Sequence, residues 1–170
     1  MKLDYQHLVP ENFSDSSRVW IYQSNRMFSL SEALQIEELL KSFADGWLAH
    51  GAPVKGFANL FFGQFIVIMA DESQTMVSGC STDSSVRVIK DIEQLFGVDL
   101  FNRQLLAFVD KERIQILPLQ QLTYALQNKF IQPDTLYFNN TVLNKKDFMS
   151  KWLIPLKESW LKSRIPETAA

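Results

Sequence analysis

The chain has 170 residues, 46% apolar and 21% charged side chains, and 17 Lys and Arg against 19 Asp and Glu, for a formal net charge of −2. These values favour one ordinary folded domain over residues 1–170 and exclude a disordered chain, a collagen-like repeat and a coiled coil. Cys80 is the only cysteine, so no disulfide can form within the chain and a reducing, cytoplasmic compartment is expected.

Neither a secretory signal nor a membrane span is expected from the hydropathy pattern. The N-terminal residues have no basic flank followed by an unbroken apolar run. The most apolar stretch, residues 60–70, is far shorter than the roughly 20 residues that a membrane helix needs. Only residues 144–164 are basic, with six basic and two acidic side chains. A nucleic-acid partner is not expected, because such partners usually bind a strongly basic domain.

The N-terminal part predicts one strand followed by one helix. Residues 18–23 are rich in β-branched and aromatic side chains, which predicts a strand. Ser29 and Glu32 form a capping box at the start of the helix, and Gly51 and Pro53 are expected to end it. The apolar stripe at helical spacing consists of Ala33, Ile36, Leu40, Phe43 and Trp47.

Residues 57–70 are aromatic and β-branched without a helical period, which is typical of strands. They form either one long bulged strand or two strands that meet near residues 62–64. Residues 65–69 show no polar alternation, so they are expected to form a central strand that is buried on both faces. Residues 75–78 are expected to add a short neighbouring strand.

A second helix and a hairpin follow. The helix is expected to begin within residues 81–85, where several side chains can cap it, and to stop at Gly97. Its apolar face consists of Val88, Ile89, Ile92, Leu95 and Phe96. Residues 105–109 and 113–117 flank a polar turn and predict a β-hairpin with Ile114 and Ile116 inward and Gln115 outward.

The C-terminal part predicts two helical regions and one strand. Pro118 suits the first turn of a short helix, with apolar spacing from Leu122, Leu126 and Phe130. Residues 135–138 predict a last strand. Helical sequence begins at about Lys145, and Pro155 is expected to kink or split that helix.

Helices and strands alternate along the chain, yet at least one direct hairpin is present. This pattern favours an α+β fold over a doubly wound parallel sheet. We therefore expect a single α+β domain with a mostly antiparallel or mixed sheet and three to four packed helices.

One segment is similar to part of an ATPase. Residues 65–70 form an apolar strand pattern that ends in Asp71 and Glu72, as in a Walker B segment that holds Mg²⁺. The chain contains no Gly-Lys dipeptide, so it has no P-loop to cradle the phosphates. The alternative interpretation is a buried strand that ends in a solvated acidic turn.

Several segments together resemble one family of small uncharacterised bacterial proteins that are often catalogued as "ABC transporter ATPase". These segments are residues 19–23, 64–67, 71–73, 78–81 with 83–86, 96–100 and 138–140. The string Ser-Gly-Cys-Ser-x-Asp-Ser-Ser at residues 78–85 is the most specific of them. The resemblance implies no catalytic residue, since the family has no established activity, and the chain lacks the Walker A motif that the catalogue label requires.

The same string is the candidate binding site. Small hydroxyl residues and a glycine at a helix N-terminus expose backbone N–H groups at the positive end of the helix dipole, which suits an anion. Asp83 favours the alternative that its carboxylate occupies these donors as an ordinary N-cap. The candidate ligand-binding residues are Ser78, Gly79, Ser81, Asp83, Ser84, Ser85, Arg87 and, from a turn after a strand, Asn139.

Cys80 would act as a nucleophile if that helix end activated its thiol. Arg87 lies at C-x6-R rather than the C-x5-R of cysteine phosphatases, and a Cys-His pair would need His7, near the terminus, or His50, in the last turn of the first helix. The alternative is a small buried hydrophobe. One Cys and two scattered His cannot make a Cys/His metal site, so no metal or cofactor is predicted.

The sequence also offers a basic and aromatic surface near its C-terminus. Trp152 and Trp160 would join Lys145, Lys146, Lys151, Lys157 and Lys162 against an acidic partner, unless the tryptophans point inward. The function predicted best is a non-catalytic module that binds a small anionic ligand or a protein partner. The alternatives are a thiol-dependent enzyme that uses Cys80 and a nucleotide hydrolase that uses Asp71 and Glu72.

Overall fold

A computed structural model gives the architecture, and it describes residues 2–166. In chain order the elements are β1 (Arg18–Gln23), α1 (Leu30–Asp45), β2 (Leu48–Ala49), β3 (Ala52–Pro53), β4 (Lys55–Phe61), β5 (Phe65–Asp71), α2 (Gly79–Phe96), β6 (Leu105–Asp110), β7 (Arg113–Pro118), α3 (Leu122–Gln127), β8 (Leu136–Phe138), α4 (Lys145–Lys151) and β9 (Leu153–Pro155). All pairings among these strands are antiparallel. The α+β class is therefore confirmed. Within residues 2–166, no helix is long and apolar enough to cross a membrane.

The described chain divides into two compact units. The larger unit comprises residues 4–101 and 143–149, and the smaller unit comprises residues 2–3, 102–142 and 150–166. One domain over residues 1–170 stays a prediction.

The sheet of the larger unit has the order β1-β5-β4, with β5 in the centre. All seven residues of β5 are buried, which confirms the predicted central strand. Phe62 and Gly63 have φ values of 53° and 63°, and they form a tight turn that pairs Phe61 with Phe65. This left-handed pair reverses the chain in the way that favoured hairpin turns do, so residues 57–70 form two strands rather than one.

Helix α1 begins where the sequence predicts and ends earlier than expected. Ser29 Oγ accepts a hydrogen bond from the backbone N–H of Glu32, whose carboxylate accepts one from the Ser29 N–H, so the capping box is confirmed. The helix ends at Asp45 because the chain then turns into the β2–β3 hairpin. His50 and Gly51, at φ 50° and 80°, form its turn. The expectation that Gly51 and Pro53 end the helix, with His50 in its last turn, is wrong.

Helices α1 and α2 contribute to a core with one face of this sheet, and its fully buried members include Ile36, Leu40, Ile66, Ile68, Ile89 and Ile92. Helix α2 stops at Gly97, with φ 61°, as predicted. It begins at Gly79 rather than within residues 81–85, because Ser78 caps it. Residues 75–78 form a loop instead of the expected strand.

The sheet of the smaller unit has the order β7-β6-β8-β9. Strands β6 and β7 form the predicted hairpin, with Ile114 and Ile116 half-buried and Gln115 exposed. Strand β8 confirms the strand predicted at residues 135–138, but it is not the last, because β9 follows it. Helix α3 ends at Gln127, so Phe130 lies beyond it and is 68% exposed rather than part of an apolar helix face.

The C-terminal helix is shorter than predicted. Helix α4 ends at Lys151, and Pro155 lies in β9, where it pairs with Leu136 of β8. Because β9 is an edge strand, it tolerates a proline that cannot donate a backbone hydrogen bond. The expectation of a helix kinked or split at Pro155 is therefore wrong, and short 3-10 turns follow the strand.

Candidate functional site

The predicted anion-binding segment is the capped start of α2. The Ser78 N–H donates to Ser81 Oγ over 3.0 Å, and the Ser81 N–H donates to Ser78 Oγ over 3.4 Å. These two bonds form a reciprocal capping box. Asp83 lies in the second turn and is exposed, so the interpretation of Asp83 as the N-cap is wrong. The N-cap is Ser78, the residue before the helix, whose side chain accepts the Ser81 N–H.

The remaining hydroxyl groups of the segment bond to the helix backbone. Thr82 Oγ1 donates to the Ser78 carbonyl oxygen, and Ser84 Oγ donates to that of Cys80, each over 3.0 Å. Ser85 Oγ donates to the Thr82 carbonyl oxygen over 2.7 Å. Such bonds to the preceding turn are the usual way in which serine and threonine are accommodated inside a helix. The first turn then offers an anion mainly the exposed backbone N–H groups of Gly79 and Cys80.

The two outlying members of the predicted site do not complete it. Arg87 is exposed on α2, about two turns after the N-cap. Asn139 belongs to the smaller unit. There its backbone N–H donates to the Trp152 carbonyl oxygen over 2.6 Å, and its Oδ1 accepts from Thr141 Oγ1 over 2.6 Å. Its amide therefore holds the turn after β8.

Cys80 is exposed, so the interpretation of it as a small buried hydrophobe is wrong. Neither predicted histidine partner belongs to α2, the helix that carries Cys80. His50 is an exposed residue of the β2–β3 turn, and the Nδ1 atom of His7 lies 3.4 Å from Oδ1 of Asp4. Residues 2–166 contain no group of three or more His, Cys, Asp or Glu side chains that could hold a metal ion.

The acidic pair Asp71 and Glu72 at the end of β5 is bonded to the protein itself. Asp71 is 2% exposed, and its carboxylate accepts hydrogen bonds from the Lys55 ammonium and from the backbone N–H groups of Ser14 and Ser73. These donors hold the pKa of the Asp71 carboxyl well below its ordinary value, the Lys55 hydrogen bond contributing most. Glu72 accepts from the Val77 N–H over 2.8 Å. The prediction of a solvated acidic turn is therefore wrong for Asp71.

The predicted surface of tryptophan and lysine side chains is only partly present. Trp152 and Lys145 are buried, at 0% and 6% exposure. Trp160 is 47% exposed, and its Nε1 donates to the Tyr137 hydroxyl over 3.3 Å. The inward alternative thus holds for Trp152, whereas Trp160 contributes to the surface of the smaller unit.

An exposed aromatic pair in the smaller unit was missed by the sequence analysis. Tyr124 and Phe130 are 62% and 68% exposed, and their ring centroids lie 6.3 Å apart. The described residues of this unit carry nine basic and four acidic side chains. The sequence offered no clear signal for this helix end, because the residue in the left-handed conformation is Lys129, at φ 58°, and lysine seldom adopts it.

A second apolar surface lies on the outward side of α1. Leu30 and Leu34 are 79% and 58% exposed, and with Glu38 they form a row at four-residue intervals. An open depression of about 460 Å³ lies beside them. We call this surface the α1 face, and it consists of Leu30, Leu34, Gln35, Glu37, Glu38 and Lys41.

Comparison of the chain with models of protein families, with curated proteins and with solved structures gives no match. The family suggested by the resemblance therefore stays a prediction.

Proposed function

We propose that the protein is a non-catalytic, cytoplasmic binding module whose smaller unit binds a protein partner that presents acidic and apolar side chains. The observation that carries the proposal is the exposed Tyr124–Phe130 pair on a unit with an excess of basic residues. Aromatic side chains are enriched at the centres of protein interfaces. Complementary charge speeds the encounter and selects the partner.

The surroundings of the aromatic pair support a protein partner. Lys129 precedes Phe130 and is exposed, which places a positive charge next to the aromatic rings in the sequence. Trp160 adds a third half-exposed aromatic side chain to the same unit. Isolated exposed apolar residues are common, but a contacting pair of large aromatic rings is typical of a contact surface.

The geometry gives less support to a small anionic ligand. The hydroxyl groups of the Ser78–Ser85 segment already bond within α2. The exposed N–H groups of Gly79 and Cys80 are a common feature of helix starts and do not by themselves make a site.

The two catalytic alternatives differ in their support. The thiol enzyme is favoured by one observation: Cys80 is exposed, so a substrate can reach its thiol. Nothing in the geometry favours the nucleotide hydrolase, since the Asp71 oxygens accept three hydrogen bonds from the protein. Equilibrium dialysis with ATP and Mg²⁺ tests the second alternative, and ATP binding that Asp71→Asn abolishes would restore it.

The proposal is tested with two labelled amphipathic peptides that share their apolar residues and carry either glutamate or lysine at all other positions. We expect fluorescence anisotropy to show that the full chain prefers the acidic peptide. The double variant Tyr124→Ser/Phe130→Ser should weaken that binding by about tenfold or more. A matched control is Leu48→Ser/Met76→Ser, which removes two exposed apolar side chains from the larger unit. Equal binding of both peptides, or equal loss in both double variants, would contradict the proposal.

A further inference from the structure

We infer that the partner of the smaller unit is the α1 face of a second copy of this chain. The inference rests on the proposed function and deepens it by naming the partner. The two surfaces differ in charge and share an exposed apolar centre. The smaller unit of one copy can therefore bind the α1 face of another copy.

The α1 face has the apolar centre that such a contact requires. Leu30 and Leu34 are about one helical turn apart and exposed, whereas Ile36 and Leu40 of the same helix are fully buried. The depression beside Leu34 is open, has about 460 Å³ and is lined by residues of α1 alone. An aromatic ring such as that of Phe130 is a suitable occupant.

The acidic side chains of the larger unit favour a basic partner surface at the α1 face. The larger unit carries fourteen acidic and eight basic side chains, for a net charge of −6. On the α1 face itself, Glu37 and Glu38 outnumber Lys41 and border the depression. A second acidic surface would be repelled here, whereas Lys129, which precedes Phe130 in a unit with more basic than acidic side chains, is complementary.

The same chain presents both surfaces, so the contact can repeat. Two copies can each bind the α1 face of the other, which gives a closed dimer with two identical contacts. If the geometry prevents this, each copy binds the next one and an open chain of copies forms. In either case the association depends on the concentration of one protein alone. Salt should weaken it, because mobile ions screen exposed charges.

Sedimentation velocity of the full chain, at rising concentration and at low and high salt, tests the inference. The variants are Glu38→Lys on the α1 face and Lys129→Glu beside the aromatic pair. We expect the unchanged chain to self-associate at low salt and each reversal to weaken association by about tenfold or more. An equimolar mixture of the two variants should associate again, because the reversed charges attract each other across one contact.

Matched controls are Asp83→Lys and Lys111→Glu, which reverse exposed charges elsewhere in the larger and smaller units. They should associate like the unchanged chain, and circular dichroism should show that all four variants are folded. A chain that stays monomeric, or association that neither reversal weakens, or a mixture that stays dissociated, would overturn the inference. Binding of the acidic peptide without self-association would overturn the inference alone, whereas loss of both would overturn the proposed function as well.

Discussion

The ammonium of Lys55 lies 2.8 Å from Oδ2 of Asp71 at the buried end of the central strand. The carboxylate is almost fully buried and the lysine side chain is 38% exposed. The same Oδ2 accepts the Ser14 N–H over 3.1 Å, and Oδ1 accepts the Ser73 N–H over 3.1 Å. One carboxylate therefore joins the end of β5 to β4, to the segment before β1 and to the turn that follows.

Asp71→Asn should destabilise the larger unit by about 2 kcal/mol at neutral pH. The amide cannot accept all the donors that surround Asp71, and the buried donors then lack partners. The folded state lowers the pKa of Asp71, so its contribution is complete above the unfolded value of about 4 and is lost as the pH falls towards the folded value. Urea denaturation at several pH values should show the difference between variant and unchanged chain narrowing below about pH 4.

Lys55→Met provides the control for this pair, together with the double variant. Lys55 is more than one third exposed, so solvent screening reduces the energy of the pair. We expect the double variant to be less destabilised than the sum of the two single variants. Strict additivity, or a difference that stays constant down to about pH 2, would show that Asp71 does not act through this pair.

Lys145→Met should destabilise the larger unit by about 3 kcal/mol. The buried Lys145 ammonium donates to the backbone carbonyl oxygens of Pro10, Glu11 and Phe13 over 2.8 to 3.3 Å. Methionine preserves the apolar stem but removes the donor, and the bond to the Phe13 carbonyl oxygen that it removes is buried. Denaturation of the variant is compared with Lys90→Met, where the exposed lysine on α2 should change stability by less than about 0.5 kcal/mol. Equal effects of the two variants would contradict the role of Lys145.

Gly56→Ala should destabilise the larger unit by about 2 kcal/mol, because a Cβ atom there would lie 2.7 Å from Cε3 of Trp47. Trp47 cannot move away easily, since it is buried and its Nε1 donates to the Ser81 carbonyl oxygen over 2.9 Å. Gly79→Ala is the matched control, because a Cβ atom at Gly79 meets no atom within 4 Å. That variant should be neutral or stabilising by up to about 1 kcal/mol in thermal unfolding. Similar losses in both variants would exclude the close approach as the cause.

Ser78→Ala should cost about 1 kcal/mol in the free energy of unfolding, because it removes the acceptor for the Ser81 N–H. Asp83→Ala should change stability by less than about 0.5 kcal/mol, since its side chain is exposed in the second turn of α2. Chemical denaturation of both variants distinguishes the two candidate caps. A larger loss for Asp83→Ala would place the helix start where the sequence alone suggested it.

The elements that the sequence predicted well are those with a complete local signal. The Ser29–Glu32 box starts α1, Gly97 stops α2, and the unbroken apolar run of residues 65–69 lies in the buried central strand. Each signal comes from side chains a few residues apart, and the two helix signals need no distant partner to act.

The errors arise where a distant contact decides the local structure. Trp47 continues the apolar spacing of α1, yet it reaches the core from a segment outside the helix. Pro155 could have kinked a helix, but pairing with Leu136 places it in a strand. Phe130 has helical spacing from Leu126 and is exposed because α3 ends before it.

The candidate site shows the same limit. Composition predicted a helix start within residues 81–85, and α2 begins two residues earlier, at Gly79. It could not show that the hydroxyl groups would bond to the helix itself, because a hydroxyl serves a ligand and a backbone carbonyl equally well. The Tyr124–Phe130 pair and the α1 face were not predicted for another reason. The exposure of their side chains depends on where the helices end and which side of each helix is buried.

Cys80 should react in the folded protein with one equivalent of a thiol reagent such as Ellman's reagent. The thiol is exposed in the first turn of α2, and it is the only cysteine of the chain. The rate should be close to that of the urea-unfolded chain, because the fold leaves the thiol exposed. Cys80→Ser should change the free energy of unfolding by less than about 0.5 kcal/mol, as expected for an exposed position. A reaction that needs unfolding would contradict the exposure of Cys80, and a rate far above that of the unfolded chain would favour the thiol enzyme over the binding module.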